Sequence, residues 1–137
     1  AATLATKLSD VVQRNARERR GEPVKWVGDG VMVRFRDPDG AVLSALDMVE
    51  EIPAAGLPAA HVGIAAGPVI RQAGDYFGRT VNLASRISDR APAGQVLVSE
   101  RVVQTASAPG VTFIEIGPTE LSGVRDPIDL FEARRRS

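Results

Sequence analysis

Asp29 stands between Gly28 and Gly30, and Lys25 lies four residues ahead of it. Flanking glycines leave a carboxylate accessible and let a phosphate approach the backbone closely. Mg²⁺ takes one or two carboxylates together with phosphate oxygens and water, so Asp29 suits a hard-cation ligand. Turn chemistry accounts for the same residues equally well, because Asp-Gly is a common hairpin dipeptide. Lys25 sits among Val24, Trp26 and Val27. It is either an edge-strand charge that discourages aggregation or a buried donor for a ligand.

A second segment, Gly74-Asp75-Tyr76-Phe77-Gly78, leads straight into a helical pattern over Arg79–Arg90. Its glycines permit unusual backbone angles and its aromatics can wall a pocket. On that helix Asn82, Ser85, Arg86 and Asp89 follow i, i+3, i+4, i+7 and share one face. Val81, Ala84, Ile87 and Ala91 form the other, which should pack on a sheet. The polar face reads either as a solvated surface with a weak Arg86–Asp89 pair or as a phosphate site. In the second case Arg86 offers a charge-assisted fork to phosphoryl oxygens.

Periodicity indicates the elements that must hold these residues. Ala2 to Arg20 reads as a helix with Leu4, Leu8, Val11 and Val12 on its apolar stripe, stopped by Gly21 and Pro23. Val24–Val27 and Val31–Phe35 read as a hairpin around Gly28-Asp29-Gly30, with Asp-Gly as the turn signal. Asp37 to Gly40 is a turn able to cap a helix over Ala41–Glu51, and Pro53 to Pro58 is a loop. His61–Ala65 and Val69–Arg71 follow as strands, and Gln95–Val98 is another. Ser99 caps a short helix through Thr105. Val111–Ile116 and Ile128–Ala133 close the fold, and Arg134, Arg135 and Arg136 form a basic, frayed tail. This order predicts an α+β domain spanning residues 1–137, with helices mainly on one face of a mixed sheet.

Composition narrows the function. The 137 residues suffice for one apolar core. Seventeen Lys and Arg balance 17 Asp and Glu, which argues against a general nucleic-acid binder but not against one anionic ligand. There is no Cys, so disulfides, thiolate zinc sites and Cys nucleophiles are excluded. The single His, His61, lacks the nucleophile-elbow pattern of a Ser-His-Asp hydrolase. No run approaches the ~20 apolar residues of a membrane span, and no signal peptide is visible, so a cytoplasmic location is expected. The chain does not begin with Met, as expected of a processed piece or excised domain.

The combined spacings resemble the catalytic domain of class III nucleotidyl cyclases, which make cyclic AMP or cyclic GMP. The resemblance rests on Lys25 with Gly28-Asp29-Gly30, and on Asp75, Phe77-Gly78, Val81-Asn82, Ala84 and Arg86. It extends through Val62-Gly63-Ile64, Gly67-Pro68-Val69, Pro92, Gly94 to Ser99, Leu121 and Gly123. It covers about Gly21 to Ala133, and richness in Arg, Ala, Val and Gly hints at a bacterial source.

The resemblance implies the cyclase catalytic fold, of ferredoxin-like type, and an adenylyl cyclase in which ATP lies between two protomers of a head-to-tail homodimer. Asp29 is then one of two carboxylates holding two Mg²⁺ or Mn²⁺ ions. Lys25 and Asp75, contributed by the second protomer, read the base. Asn82 orients the ribose and Arg86 stabilises charge at the α-phosphate. The family's opening strand, with its own metal-binding Asp, is expected ahead of Asp29. The residues there read as helix instead, and Asp10 within them is no substitute. The isolated chain is therefore expected to be weakly active or inactive with Mg²⁺. Ala stands in Gly63-Ile64-Ala65-Ala66-Gly67 where many relatives have His, and Ser122 where relatives often have Lys, a phosphate contact that can pass to Arg125. The alternatives are a guanylyl cyclase and a catalytically silent domain that binds nucleotide or dimerises.

Overall fold

The computed structural model describes residues 3–136. Helix α1 (Leu4–Glu18) starts at Thr3, whose hydroxyl accepts from the Thr6 N–H at 3.2 Å. The expected start at Ala2 lies outside the described residues. Arg20, not Gly21, takes the left-handed position at its C-terminus (φ 58°). Gly21 N–H then donates to Ala16 O, and Arg20 N–H to Arg17 O, closing the last turn in a Schellman arrangement. Gly21 is small for a different reason. A Cβ there would lie 2.4 Å from the Phe35 ring.

Strands β1 (Glu22–Val27) and β2 (Gly30–Arg34) form an isolated antiparallel hairpin. Its register pairs Val27 with Gly30, so the turn is Gly28-Asp29 rather than the expected Asp29-Gly30. Only Gly28 has positive φ (63°), as in the hairpin turn that places glycine first. Helix α2 (Pro38–Ala54) is capped by the Asp37 carboxylate, which accepts from the Asp39 N–H at 3.1 Å. It is longer than predicted at both ends. Pro38 occupies the first turn, where its missing N–H costs nothing, and Pro53 is tolerated in the last.

The main sheet contains β3 (Val62–Ile64), β6 (Val96–Ser99), β7 (Val111–Thr119) and β8 (Ile128–Arg135) in the order β3-β6-β8-β7. The β3–β6 pair is parallel and the others antiparallel. A third small sheet is the hairpin of β4 (Ile70–Gln72) and β5 (Asp75–Phe77), which leads into α3 (Arg79–Arg90). The short helix α4 (Glu100–Thr105) follows β6, but the Ser99 side chain makes no capping hydrogen bond.

Helices cover both faces of the main sheet, α2 and α4 on one and α3 alone on the other. Val96 and Val98 join Val42, Ala45 and Leu46 of α2 and Val102 of α4 in one core. Leu97, on the opposite face, joins Ile87 and Ala91 at the α3 end, with Leu121 and Leu130. All four residues of β6 are buried, as expected of a strand packed on both sides. Beyond α2, a third cluster joins Met48 and Ile52 to Val11 and Val12 of α1 and takes in Val31 and Val33 of β2. The buried Asn15 reinforces this layer by donating to Glu51 Oε2 at 2.8 Å.

The arginine tail is ordered through β8. Arg134 pairs with Glu132 at 2.9 Å, Arg135 with Glu50 and Asp47 of α2, and Arg136 N–H donates to Gly110 O. The basic run looked frayed because the acidic partners of Arg135 are remote in sequence. Among the described residues, no helix is long and apolar enough to cross a membrane.

Candidate functional site

The five residues singled out in the sequence fall on three carriers. Asp29 is at the β1–β2 turn, Lys25 and Asp75 are on separate hairpins, and Asn82 and Arg86 are on α3. The two hairpins share no backbone ladder, yet Lys25 Nζ donates to Asp75 Oδ2 at 2.7 Å. Both side chains are partly exposed, at 39% and 27%. A β-bulge between Pro23 and Lys25 resets the β1 register just before the lysine.

The other oxygen of Asp75, Oδ1, accepts from the Tyr76 N–H at 2.7 Å. The Lys25 hydrogen bond, helped by the Tyr76 N–H, holds the Asp75 carboxyl below its ordinary value. Asp75 is therefore an anion facing outward next to an ammonium group. Strand alternation puts Phe77 on the face of Asp75, half-exposed, with Lys25 Nζ 5.5 Å from its ring centre. Together they make a donor, an acceptor and an aromatic surface on one side of the paired hairpins.

Helix α3 carries the second group. Asn82, Ser85, Arg86 and Asp89 are all exposed, as their spacing predicts, while Ile87 is fully buried beneath them. Gly63 of β3 permits the close approach. A Cβ there would lie 2.2 Å from Ser88 N and 2.6 Å from Ala84 O. His61 adds to the seam, its Nδ1 2.7 Å from Ser88 O. Since a carbonyl only accepts, Nδ1 carries the proton, and the ring works here as a packing contact. Arg86 makes a loose 3.7 Å pair with Asp89. It lies beside the β7–β8 loop, where a Cβ on Gly123 would be 3.7 Å from its Nε.

Asp29 is exposed and has no ion-pair partner among the described residues. No three His, Asp or Glu side chains converge among those residues. Asp29 thus fits one carboxylate of a Mg²⁺ or Mn²⁺ site that nucleotide phosphates complete. A cavity of about 480 Å³ opens beside the first turn of α3, lined by Pro68, Val69, Ile70, Arg79, Thr80 and Arg101 among others. None of the five residues lines it.

Sequence reasoning passed over the support of the Lys25–Asp75 pair. Tyr76 is buried on the opposite face of β5, and its hydroxyl donates to Glu22 Oε1 of β1 at 3.0 Å. Arg34 and Arg71 flank its ring at 5.4 and 5.8 Å. The missed signal was β5 itself, an Asp-Tyr-Phe alternation following a two-residue Ala73-Gly74 turn.

Residues 2–132 match the family model described as the adenylate and guanylate cyclase catalytic domain. The chain belongs to this family. It is 35% identical over 128 residues to a pH-sensitive adenylate cyclase of Mycobacterium tuberculosis, covering 88% of this chain and 32% of that protein. It is 42% identical over 96 residues to an adenylate cyclase of Streptomyces coelicolor, covering 66% of this chain and 25% of that protein. The chain thus spans about a third or less of the length of these relatives. Its fold is shared with the adenylate/guanylate cyclase/hydrolase of Silicibacter pomeroyi, with a TM-score of 0.80 at 23% identity over 94% of this chain and 81% of that one.

Proposed function

We propose that this domain binds ATP and converts it to 3′,5′-cyclic AMP and pyrophosphate. The observation that carries the reading is the Lys25–Asp75 pair, set on two hairpins and facing outward beside Phe77. Adenine offers an acceptor at ring N1 and a donor at its amino group. An ammonium group supplies only donors and an ionised carboxylate only acceptors, so the two match adenine. Guanine presents the reverse pattern at these positions and leaves both groups without partners. Asp75 is an ionised acceptor at neutral pH, and the Lys25 hydrogen bond holds its carboxyl below the ordinary range.

The other residues take roles that follow from their chemistry. Asn82, exposed on α3, has an amide that both donates and accepts, as needed to orient ribose hydroxyls. Arg86, held only loosely by Asp89, is available to phosphoryl oxygens, where its fork stabilises charge developing at the α-phosphate. In the reaction the ribose 3′-hydroxyl gives its proton to water as its oxygen bonds the α-phosphorus, and the bond from that phosphorus to the bridging oxygen breaks to release pyrophosphate. A divalent cation at Asp29 supplies, when bound, neutralisation of the phosphate charge. Asp29 and the base-reading pair serve one nucleotide from different protomers of a head-to-tail dimer in this reading.

One observation favours a second reading, nucleotide binding without turnover. Among the described residues no three His, Asp or Glu side chains gather into a group that could hold a metal ion. Cyclic nucleotide output from ATP and GTP with Mn²⁺, measured beside equilibrium binding of each nucleotide, separates the two. The first predicts cyclic AMP from ATP, little cyclic GMP, and loss of product in Arg86→Ala. It also predicts partial recovery on mixing Asp29→Ala with Arg86→Ala, because each shared site draws on both chains. ATP binding without product selects the silent domain. Absence of ATP binding refutes both.

A further inference from the structure

We infer that Tyr76, through its hydrogen bond to Glu22, is the positioning residue that sets Lys25 and Asp75 at their pairing distance. The functional consequence rests on the base-reading role proposed above, whereas the structural claim stands on geometry alone.

The problem the fold must solve is that β1–β2 and β4–β5 are separate two-stranded sheets. Backbone hydrogen bonds fix each hairpin internally but not one against the other. An isolated two-stranded hairpin is marginal in water, so its placement depends on what its side chains bury. In β4–β5 that side chain is Tyr76, which is 5% exposed while every residue of β4 is exposed.

Tyr76 sits between the two polar contacts that matter. Its ring faces away from the outward side and its hydroxyl reaches Glu22, at the start of the same strand that carries Lys25. On the outward side Asp75 meets Lys25. The two hydrogen bonds run from adjacent residues of β5 to opposite ends of the β1 bulge, so they fix the tilt of one hairpin on the other. Arg34 of β2 and Arg71 of β4 close over the ring from each hairpin. Glu22, Arg34 and Arg71 surround Tyr76, while Lys25 is the charged group that meets Asp75. The Asp75 oxygen that does not face Lys25 is held by a backbone N–H, which no side-chain substitution removes.

The test uses three variants. Tyr76→Phe removes only the hydroxyl. Glu22→Ala removes its acceptor. Glu22→Gln keeps an acceptor while deleting the charge, so it controls for any direct electrostatic effect on Asp75. The first readout needs no nucleotide. Carbon-13 NMR follows the Asp75 carboxyl through its titration. We expect the midpoint to rise toward the ordinary carboxylate value in Tyr76→Phe and Glu22→Ala and to stay at the parent value in Glu22→Gln. An unchanged midpoint in Tyr76→Phe overturns the inference, as does an equal rise in Glu22→Gln.

The second readout is calorimetric affinity for ATP and GTP. The preference for ATP should fall about 3–10-fold in Tyr76→Phe, the range for one modest hydrogen bond acting through another pair. The thermal unfolding temperature should fall by only a few degrees, the share of one hydrogen bond. A parent that shows no preference between the bases, with the NMR shift intact, refutes the base-reading role and leaves the positioning role standing. A loss of stability with unchanged midpoint and unchanged base preference makes Tyr76 a packing residue only.

Discussion

Gly63→Ala tests how tightly the fold holds the helix that carries Asn82 and Arg86. Gly63 is the middle residue of β3, and its backbone is not in the left-handed region. Alanine is conformationally acceptable there, so any cost is steric. The added Cβ would lie 2.2 Å from Ser88 N, 2.6 Å from Ala84 O and 2.7 Å from Ser88 Cα. Carbon contacts relax to roughly 3.5–4.0 Å, so the overlap is on the order of 1 Å and falls on helix backbone, not on a movable side chain. Helix α3 must retreat, and Ile87, fully buried against Leu97, Leu121 and Leu130, loses contact with it. A radial gap of about 0.5–1 Å forfeits a quarter to a half of each dispersion well. Overpacking changes cost about 1–3 kcal/mol, and a clash with backbone on three atoms belongs near the top of that range. At roughly 3–4 °C per kcal/mol for a domain of this size, Tm should fall about 10 °C. Urea unfolding monitored by circular dichroism gives the free energy directly. A loss below about 0.5 kcal/mol, a surface-like value, would refute the claim that β3 and α3 pack backbone to backbone at this glycine. If the domain cyclises ATP, the displaced Arg86 should also lower turnover by up to about 10²-fold.

Ala73 is the first residue of the β4–β5 turn and has φ 52°, with Gly74 at 77° behind it. Left-handed backbone costs a residue such as Ala about 1–2 kcal/mol, and Asn less, so Ala73→Asn should raise stability by about 0.5–1 kcal/mol in thermal unfolding. A fall in Tm would mean that the turn is not of this type. Asp75 supplies a pH prediction. Its folded titration lies below the ordinary value because of the Lys25 hydrogen bond. Its contribution is therefore complete above the unfolded carboxylate value and is lost as pH falls through the lower folded one. In that acid window the stability of the parent should drop more than that of Lys25→Ala, by a modest amount because the pair is partly exposed. Identical pH profiles would show that the pair contributes nothing to folding.

Local chemistry determined much of this molecule from sequence. Helix α3 and its two faces were legible because twelve consecutive residues carry one clean period, with Asn82, Ser85, Arg86 and Asp89 on the wet side. The Asp37 to Gly40 turn announced a capped helix, three residues late at Ala41 instead of Pro38, and the glycines around Asp29 announced a tight hairpin. Which two residues turned that hairpin was not legible, since Gly28-Asp29 and Asp29-Gly30 are both good turns and the choice depends on strand pairing. Strand β5 was hidden because its turn residue, Ala73, adopts a conformation its type disfavours. The positions of Lys25 and Asp75 suggested a common task only through resemblance to a family. Their contact depends on Tyr76 and Glu22, fifty-four positions apart, meeting between two hairpins that share no ladder. The arginine tail is the same case, its partners Asp47 and Glu50 being set by the docking of α2 on β8. Helix faces, and those caps and turns that depend only on neighbours a few residues away, the sequence by itself determined. Ion pairs between elements depend on how buried surfaces fit together, and only the tertiary structure decided those.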